Sequence, residues 1–169
     1  MADFRGVDFR IKAYAAAAAV FLFDRLSKSF IESHVEFGES HRVIPGFFDI
    51  VRSENRGIAF GIFDGAGSEW RAGLLVAGSL AAIAIMAVVI WKSARHLDRL
   101  SQFGFALMMG GAAGNVFDRI AWGRVTDFLL FYIGQYQWPA FNAADSAISI
   151  GGGLIVLDLL RSRQAANVS

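Results

Sequence analysis

Cysteine is absent from the 169-residue chain. That excludes disulfides, thiolate metal sites and a cysteine nucleophile, and it leaves the redox compartment open. Charge is scarce as well, with 18% charged residues and a formal net charge of +1. No basic block or basic–aromatic interleaving occurs, so nucleic acid is not an expected partner. The histidines, His34, His41 and His96, are scattered, and no H-E-x-x-H is present. Neither a G-x-S-x-G elbow nor a Walker loop is found. Ser27 and Lys28 are neighbours, but adjacent helix positions do not face each other, which argues against a Ser–Lys dyad.

What the chain has is apolar surface: 55% of its residues are hydrophobic and its mean hydropathy is +0.45. A soluble domain of this size could bury a core, but its surface needs more polar cover than this. The clearest apolar segment is AGLLVAGSLAAIAIMAVVIW, residues 72–91, 20 residues without a charge. A hydrocarbon core about 30 Å thick requires about that length. Further segments lie at 102–117, which is Gly-rich, and at 144–160, which begins beside Asp145. The first, at 12–30, carries Asp24, Arg25 and Lys28 in its second half. These charges stand where a signal-cleavage site would need small residues, so the segment is expected to be retained. Asp24 and Lys28 are one helical turn apart and can pair, or can snorkel at a helix end. The expectation is a membrane all-α fold of one domain, residues 1–169, with four transmembrane helices.

Lys and Arg set the orientation. Arg5, Arg10 and Lys12, then Lys92, Arg95 and Arg99, then Arg161 and Arg163 fall on one side in short segments. Arg42, Arg52, Arg56, Arg71, Arg119 and Arg124 fall on the other, over longer loops. Both termini are therefore expected in the cytoplasm. The first outer loop, 31–69, is too long for a simple connection. Within it Phe48, Ile50 and Arg52 alternate with other residues, and Gly57 and Gly61 interrupt a second run. A small extracytoplasmic β-rich element lying on the membrane is expected there.

Asp127 and Asp145 are the candidates for chemistry, at the ends of the last outer loop and its following helix. Two carboxyls in contact at low dielectric share one proton. One can then take a proton from water while the other polarises a carbonyl. The competing explanation is a loop aspartate and a helix-capping aspartate. Gly110 and Gly114 form a small-xxx-small face for close helix approach, and Gly151, Gly152 and Gly153 can do the same.

Five blocks, in order, carry a resemblance: D-R-L-S-K at 24–28, N-R-G-I-A-F-G at 55–61, G-G-A-A-G-N-V-F-D-R at 110–119, V-T-D-F at 125–128 and F-N-A-A-D-S-A-I at 141–148. Together they resemble the lipoprotein signal peptidase (signal peptidase II) family over nearly the whole chain. The resemblance implies an aspartic endopeptidase of the bacterial inner membrane. Such an enzyme cuts the signal peptide from prolipoproteins just before a diacylglyceryl-modified cysteine. It implies Asp127 and Asp145 as the catalytic pair, with Asn55, Asn115, Arg119 and Asn142 holding the substrate backbone or supporting the pair. It also implies a supporting Asp118 and a first-helix pair of Asp24 and Lys28. Arg25 departs from the pattern, which has a neutral polar residue there. No metal or cofactor is implied, and the expected partners are lipidated prolipoproteins and membrane lipid, with the chain a monomer and its site at the periplasmic face. A proton-coupled transporter using Asp145 or Asp127 as relay is the alternative. Against it, segment 72–91 has no polar residue but Ser79, and no inverted repeat or broken-helix pair is visible. An assembly factor without catalysis is a third possibility.

Overall fold

A computed structural model describes residues 4–57, 69–93 and 97–168, with side chains from 9–57, 73–92 and 97–164. His96, Arg95, the run at 58–61 and the side chains of Arg5 and Arg71 lie outside the described residues. Four helices and four strands follow in the order α1 (Phe4–His34), β1 (Ser40–Ile44), β2 (Phe48–Asn55), α2 (Glu69–Ser93), α3 (Arg99–Trp122), β3 (Val125–Ile133), β4 (Tyr136–Gln137) and α4 (Ala143–Val168). The protein is mostly helical with one small antiparallel sheet.

Each helix extends past the apolar segment that marks it. Hydropathy follows the apolar side chains, whereas the hydrogen-bond ladder continues through polar residues until a breaker stops it. In α3 the breaker is Gly123, whose left-handed φ of 68° lets its N–H close on the Arg119 carbonyl at 3.0 Å. The chain then enters β3 directly.

Helix α3 packs against α1, α2 and α4. Ala13 and Ala17 of α1, Met86 and Ile90 of α2, and Ala106 and Met109 of α3 form its apolar core. Glycine makes these approaches possible. A Cβ on Gly110 would strike the Ala17 carbonyl and Val20, and one on Gly111 would strike the Ala144 carbonyl. Gly104 and Gly151 meet across the α3–α4 contact in the same way. In the 151–153 run only Gly151 packs; Cβ atoms on Gly152 and Gly153 would meet nothing within 4 Å. The run points around the helix, so a single member faces α3.

Leu22, Phe23, Leu26, Leu74, Ile85, Val88, Val156 and Leu159 are all exposed on the outside of the bundle. Gly73–Lys92 and Ala143–Gln164 are long and apolar enough to cross a membrane. Helices α1 and α3 instead bury charges against one another.

The sheet has the order β1-β2-β3-β4, with neighbours antiparallel. Pro45 and Gly46, the latter at φ 72°, turn β1 into β2. The sheet reaches beyond residues 31–69, because the stretch read as the last outer loop forms β3. VTDFLLFYI is continuously apolar apart from its start, and such a run has no strand period to reveal it. Its burial on both faces explains the missing alternation: Phe128 packs on Ile31 and Val35 of α1, while Phe131 stacks on Phe141.

Candidate active site

The site forms where β3, the far end of α3 and the start of α4 meet. Between Ile50 and Ser53 the β2–β3 register slips by one residue, a bulge that re-aims β2. After it Ser53 lies opposite Asp127 and Asn55 opposite Val125. Residues two apart on one strand share a face, so Asn55 reaches Asp127 diagonally. Its Nδ2 donates to Asp127 Oδ2 at 3.1 Å.

Asn142 caps α4. Its Oδ1 accepts the Asp145 N–H at 3.0 Å, and Asp145 Oδ2 accepts the Asn142 N–H at 3.2 Å. This is a reciprocal capping box with Asp in the third position. The capping explanation of Asp145 therefore describes its geometry, yet capping leaves Oδ1 free for another partner. Asn115 Nδ2 donates to it at 2.8 Å. The Asn142 side chain turns the other way and donates from Nδ2 to Asp127 Oδ1 at 2.7 Å. One asparagine thus touches both carboxylates.

Behind the pair lies an ionic cluster. Lys28 is completely buried, and its ammonium meets Asp24 at 2.7 Å, Asp118 at 2.7 Å and Asn115 Oδ1 at 2.9 Å. Asp24 and Asn115 accept hydrogen bonds and Asp118 adds an ion pair, and together these make a buried ammonium tolerable. Asp24 Oδ1 accepts the Ala144 N–H at 2.9 Å, tying the cluster to the first turn of α4. Gly114 faces the Asp24 carboxylate so closely that any Cβ would collide with it. Neither Asp24 nor Lys28 snorkels. Ser27 is committed to the Asp24 carbonyl, and the ammonium is fully engaged, so the two make no nucleophilic dyad.

Lysine only donates, so Asn115 must turn its oxygen to Lys28 and its amide to Asp145. Arg119 spends its guanidinium on backbone, donating to the Gly57 carbonyl at 2.8 Å and the Asn115 carbonyl at 3.3 Å. It thereby ties the end of β2, and Asn55 with it, to α3. All nine residues singled out from the sequence fall in this one region. Sequence reasoning noted Arg25 but missed its pairing with Asp118, and it missed the Thr126–Glu32 hydrogen bond of 2.6 Å joining β3 to α1. It also missed Asp158, buried toward the other end of α4 and bonded by Ser101. The spacing offered no signal for these contacts, since each depends on which helix faces land together.

Asp127 and Asp145 line a cavity of about 440 Å³ together with Asn55, Asn115 and Arg119, walled by Trp138, Phe141 and Ile148. Burial raises the Asp127 carboxyl to about 7, with a further push from the Asp145 charge and an opposing pull from the Asn55 and Asn142 amides. On the other flank of α4 is an apolar cavity of about 540 Å³, lined by Val20, Phe23, Leu107 and Phe128 and sharing Ser146 and Ile150 with the first.

Fold and site define a class: a helical bundle with a paired-carboxylate cavity beside a small sheet and an apolar exterior. The same arrangement of chain occurs in a structure described as a bacterial membrane enzyme solved by the in meso method at 2.3 Å. It has a TM-score of 0.78 and 30% identity, covering 90% of this chain and 89% of that one. A second such structure, at 1.9 Å, gives a TM-score of 0.78 and 29% identity, covering 88% and 92%. The family model described as signal peptidase (SPase) II matches residues 16–161. Among relatives, the lipoprotein signal peptidase of Solibacter usitatus is 53% identical over 163 residues, covering 96% of this chain and 99% of its own. That of Cupriavidus taiwanensis is 42% identical over 148 residues, covering 87% and 81%. The chain belongs to the signal peptidase II family, and is a protease of a bacterial membrane.

Proposed function

We propose that this chain is an aspartic endopeptidase that removes the signal peptide from diacylglyceryl-modified prolipoproteins, cutting before the lipidated cysteine, with Asp127 and Asp145 as its catalytic pair. The observation that carries the pair is Asn142, which bonds both carboxylates where they line one cavity.

Charge counting supports a shared proton. The carboxylates around the site are the buried Asp24, Asp118 and Asp127 and the half-buried Asp145; the cations are Arg25, Lys28 and Arg119. One negative charge is left over, and a single proton neutralises it. Asp127, raised to about 7 by burial and by Asp145, is where that proton resides at neutral pH. Asp145, in the first turn of α4 and bonded by two N–H donors, is the base. It takes a proton from water as the oxygen adds to the peptide carbonyl, while Asp127 donates to the carbonyl oxygen. Collapse of the tetrahedral adduct breaks the C–N bond as one hydroxyl gives its proton back to Asp127 and Asp145 passes its proton to the leaving amine. Asn55 and Arg119, on the cavity wall, hold the substrate backbone.

The apolar cavity beside Ser146 is suited to the substrate's acyl chains. At about 0.8 kcal/mol per buried CH₂, even partial burial of two chains outweighs most peptide contacts. All four helices cross the inner membrane, with both termini cytoplasmic and the site at the periplasmic face. The chain works as a monomer on prolipoprotein and lipid, without a cofactor.

Purified protein in detergent, with no ion gradient, should cleave a lipidated precursor, process an unlipidated one poorly, and lose turnover as Asp145→Asn. No cleavage by the folded wild type would return the transporter to the front. Cysteines introduced at 39 and 134 should react with an impermeant reagent from the periplasm; labelling of a cysteine at 96 instead would reverse the orientation.

A further inference from the structure

Arg25, the second residue of the D-R-L-S-K block, has surroundings that explain what it does. Its guanidinium pairs with Asp118 Oδ1. It lies over the Phe117 ring at 5.1 Å and the Trp122 ring at 4.5 Å. Those two rings meet edge to face at 5.5 Å, so the cation sits in an aromatic corner of α3. Only 15% of the side chain is exposed, although Phe117 and Trp122 are themselves 44% and 47% exposed. The rings cover the charge on its outer side.

Asp118 is the shared member: Arg25 takes Oδ1, and Lys28 takes Oδ2. Lys28 in turn holds Asn115, whose amide donates to Asp145. An unbroken line of contacts therefore runs from Arg25 through Asp118, Lys28 and Asn115 to Asp145. The charged groups that face this line are Asp24 from α1, Arg119 from α3, and Asp127 from β3.

We propose that Arg25 is a positioning residue for the carboxylate pair: by sharing Asp118 with Lys28 it lets the ammonium also hold and orient Asn115, and it keeps the charge count around the site at the value that admits a single proton. This rests on the peptidase reading given above. Without Arg25 the same buried set has four carboxylates and two cations, and neutrality calls for a second proton. Two protons on Asp127 and Asp145 leave no base. Activity then waits for a higher pH. Removing the Asp118 charge does the opposite, leaving three carboxylates against three cations, so that the pair loses its proton at lower pH.

The test is kcat/KM against pH for the lipidated precursor, measured beside detergent Tm, with wild type, Arg25→Gln, Arg25→Lys, Asp118→Asn and the Arg25→Gln/Asp118→Asn double variant. A unit charge acting through a protein interior moves such a profile by roughly half to one pH unit. Arg25→Gln should move it upward, Asp118→Asn downward, and the double variant back toward wild type, with Arg25→Lys near wild type throughout. A merely structural arginine lowers Tm and scales the rate equally at every pH. That outcome overturns the proposal, as does a double variant displaced further than either single one. Should Arg25→Gln not fold, the direction of the Asp118→Asn shift decides. A wild type that folds and cleaves nothing is a failure of the peptidase reading instead.

Discussion

Two groups of buried charge lie a few residues apart in this bundle, and they are built on opposite plans. In the cluster of Asp24, Arg25, Lys28 and Asp118, two carboxylates meet two cations. In the pair of Asp127 and Asp145, two carboxylates meet only amide donors, and Arg119 is committed to backbone carbonyls. In the cluster each carboxylate has a cation at contact. Asp127 has amide donors where Asp24 and Asp118 have cations; burial first, and then the neighbouring Asp145 charge, raise its carboxyl to about 7. Burial alone does not separate the two groups, since Asp24 and Asp118 are at least as buried as Asp127. What separates them is contact with a cation, which Asp24 and Asp118 have and which amide donors replace at Asp127.

The comparison breaks most decisively at the pair itself. Asp127→Asn and Asp145→Asn should each cost at least about a hundredfold in turnover. The double variant should be little worse, because both act in one proton-transfer unit. Asp118→Asn should keep measurable activity at lower yield. Were Asp118→Asn dead at unchanged Tm and Asp127→Asn active, the two groups would have to exchange roles.

The next test is aimed at the cluster. Lys28→Met removes the ammonium and strands Asp24 and Asp118 in the bundle, at a cost of about 3–5 kcal/mol. Detergent melting should show the protein barely folded. Retention of the wild-type Tm would mean that the cluster is not held together by charge.

Glycine sharpens the same contrast. Gly114→Ala puts a methyl against the Asp24 carboxylate and should cost about 1–3 kcal/mol in overpacking. Gly152→Ala, which meets nothing within 4 Å, should be neutral. Equal melting temperatures for the two would show that α1 and α3 tolerate separation at the cluster.

The smallest effect is a pH slope. Asp127 is raised in the folded state above its ordinary value of 3.8, to about 7. Its contribution to stability is therefore full below about 3.8 and is lost as pH rises through about 7. Wild type should melt lower at pH 8.5 than at pH 5.5, and Asp127→Asn should flatten that slope whatever its offset. The same loss of the shared proton should lower turnover above about pH 7. An unchanged slope in Asp127→Asn would assign the titration to another group.

Much of this was legible in the chain before it folded. Residues 72–91 have no charge to place in water, so a membrane-crossing helix is the low-energy choice for them in isolation. The i, i+4 spacing of Asp24 and Lys28 needs only one helix to bring them together. Asn142 and Asp145 stand at capping-box spacing, so that contact too is local. The resemblance to signal peptidase II rests on such short blocks, and it brought these residues to notice without giving any of their distances.

Tertiary structure decided everything that depends on two separate elements. Strand β3 is hidden in sequence because both its faces are buried, and burial is a property of its neighbours, β2, α1 and α4. Asn55 reaches Asp127 only because a bulge in β2 shifts the register by one residue. Arg25 finds Asp118 across 93 positions of chain, and Lys28 finds Asn115 across 87. The apolar helices and the caps follow from local free energy, which each segment carries with it. The charge balance that sets Asp127 apart from Asp24 and Asp118 follows from a sum over α1, α3, α4 and the sheet, and it exists only once all of them are packed together.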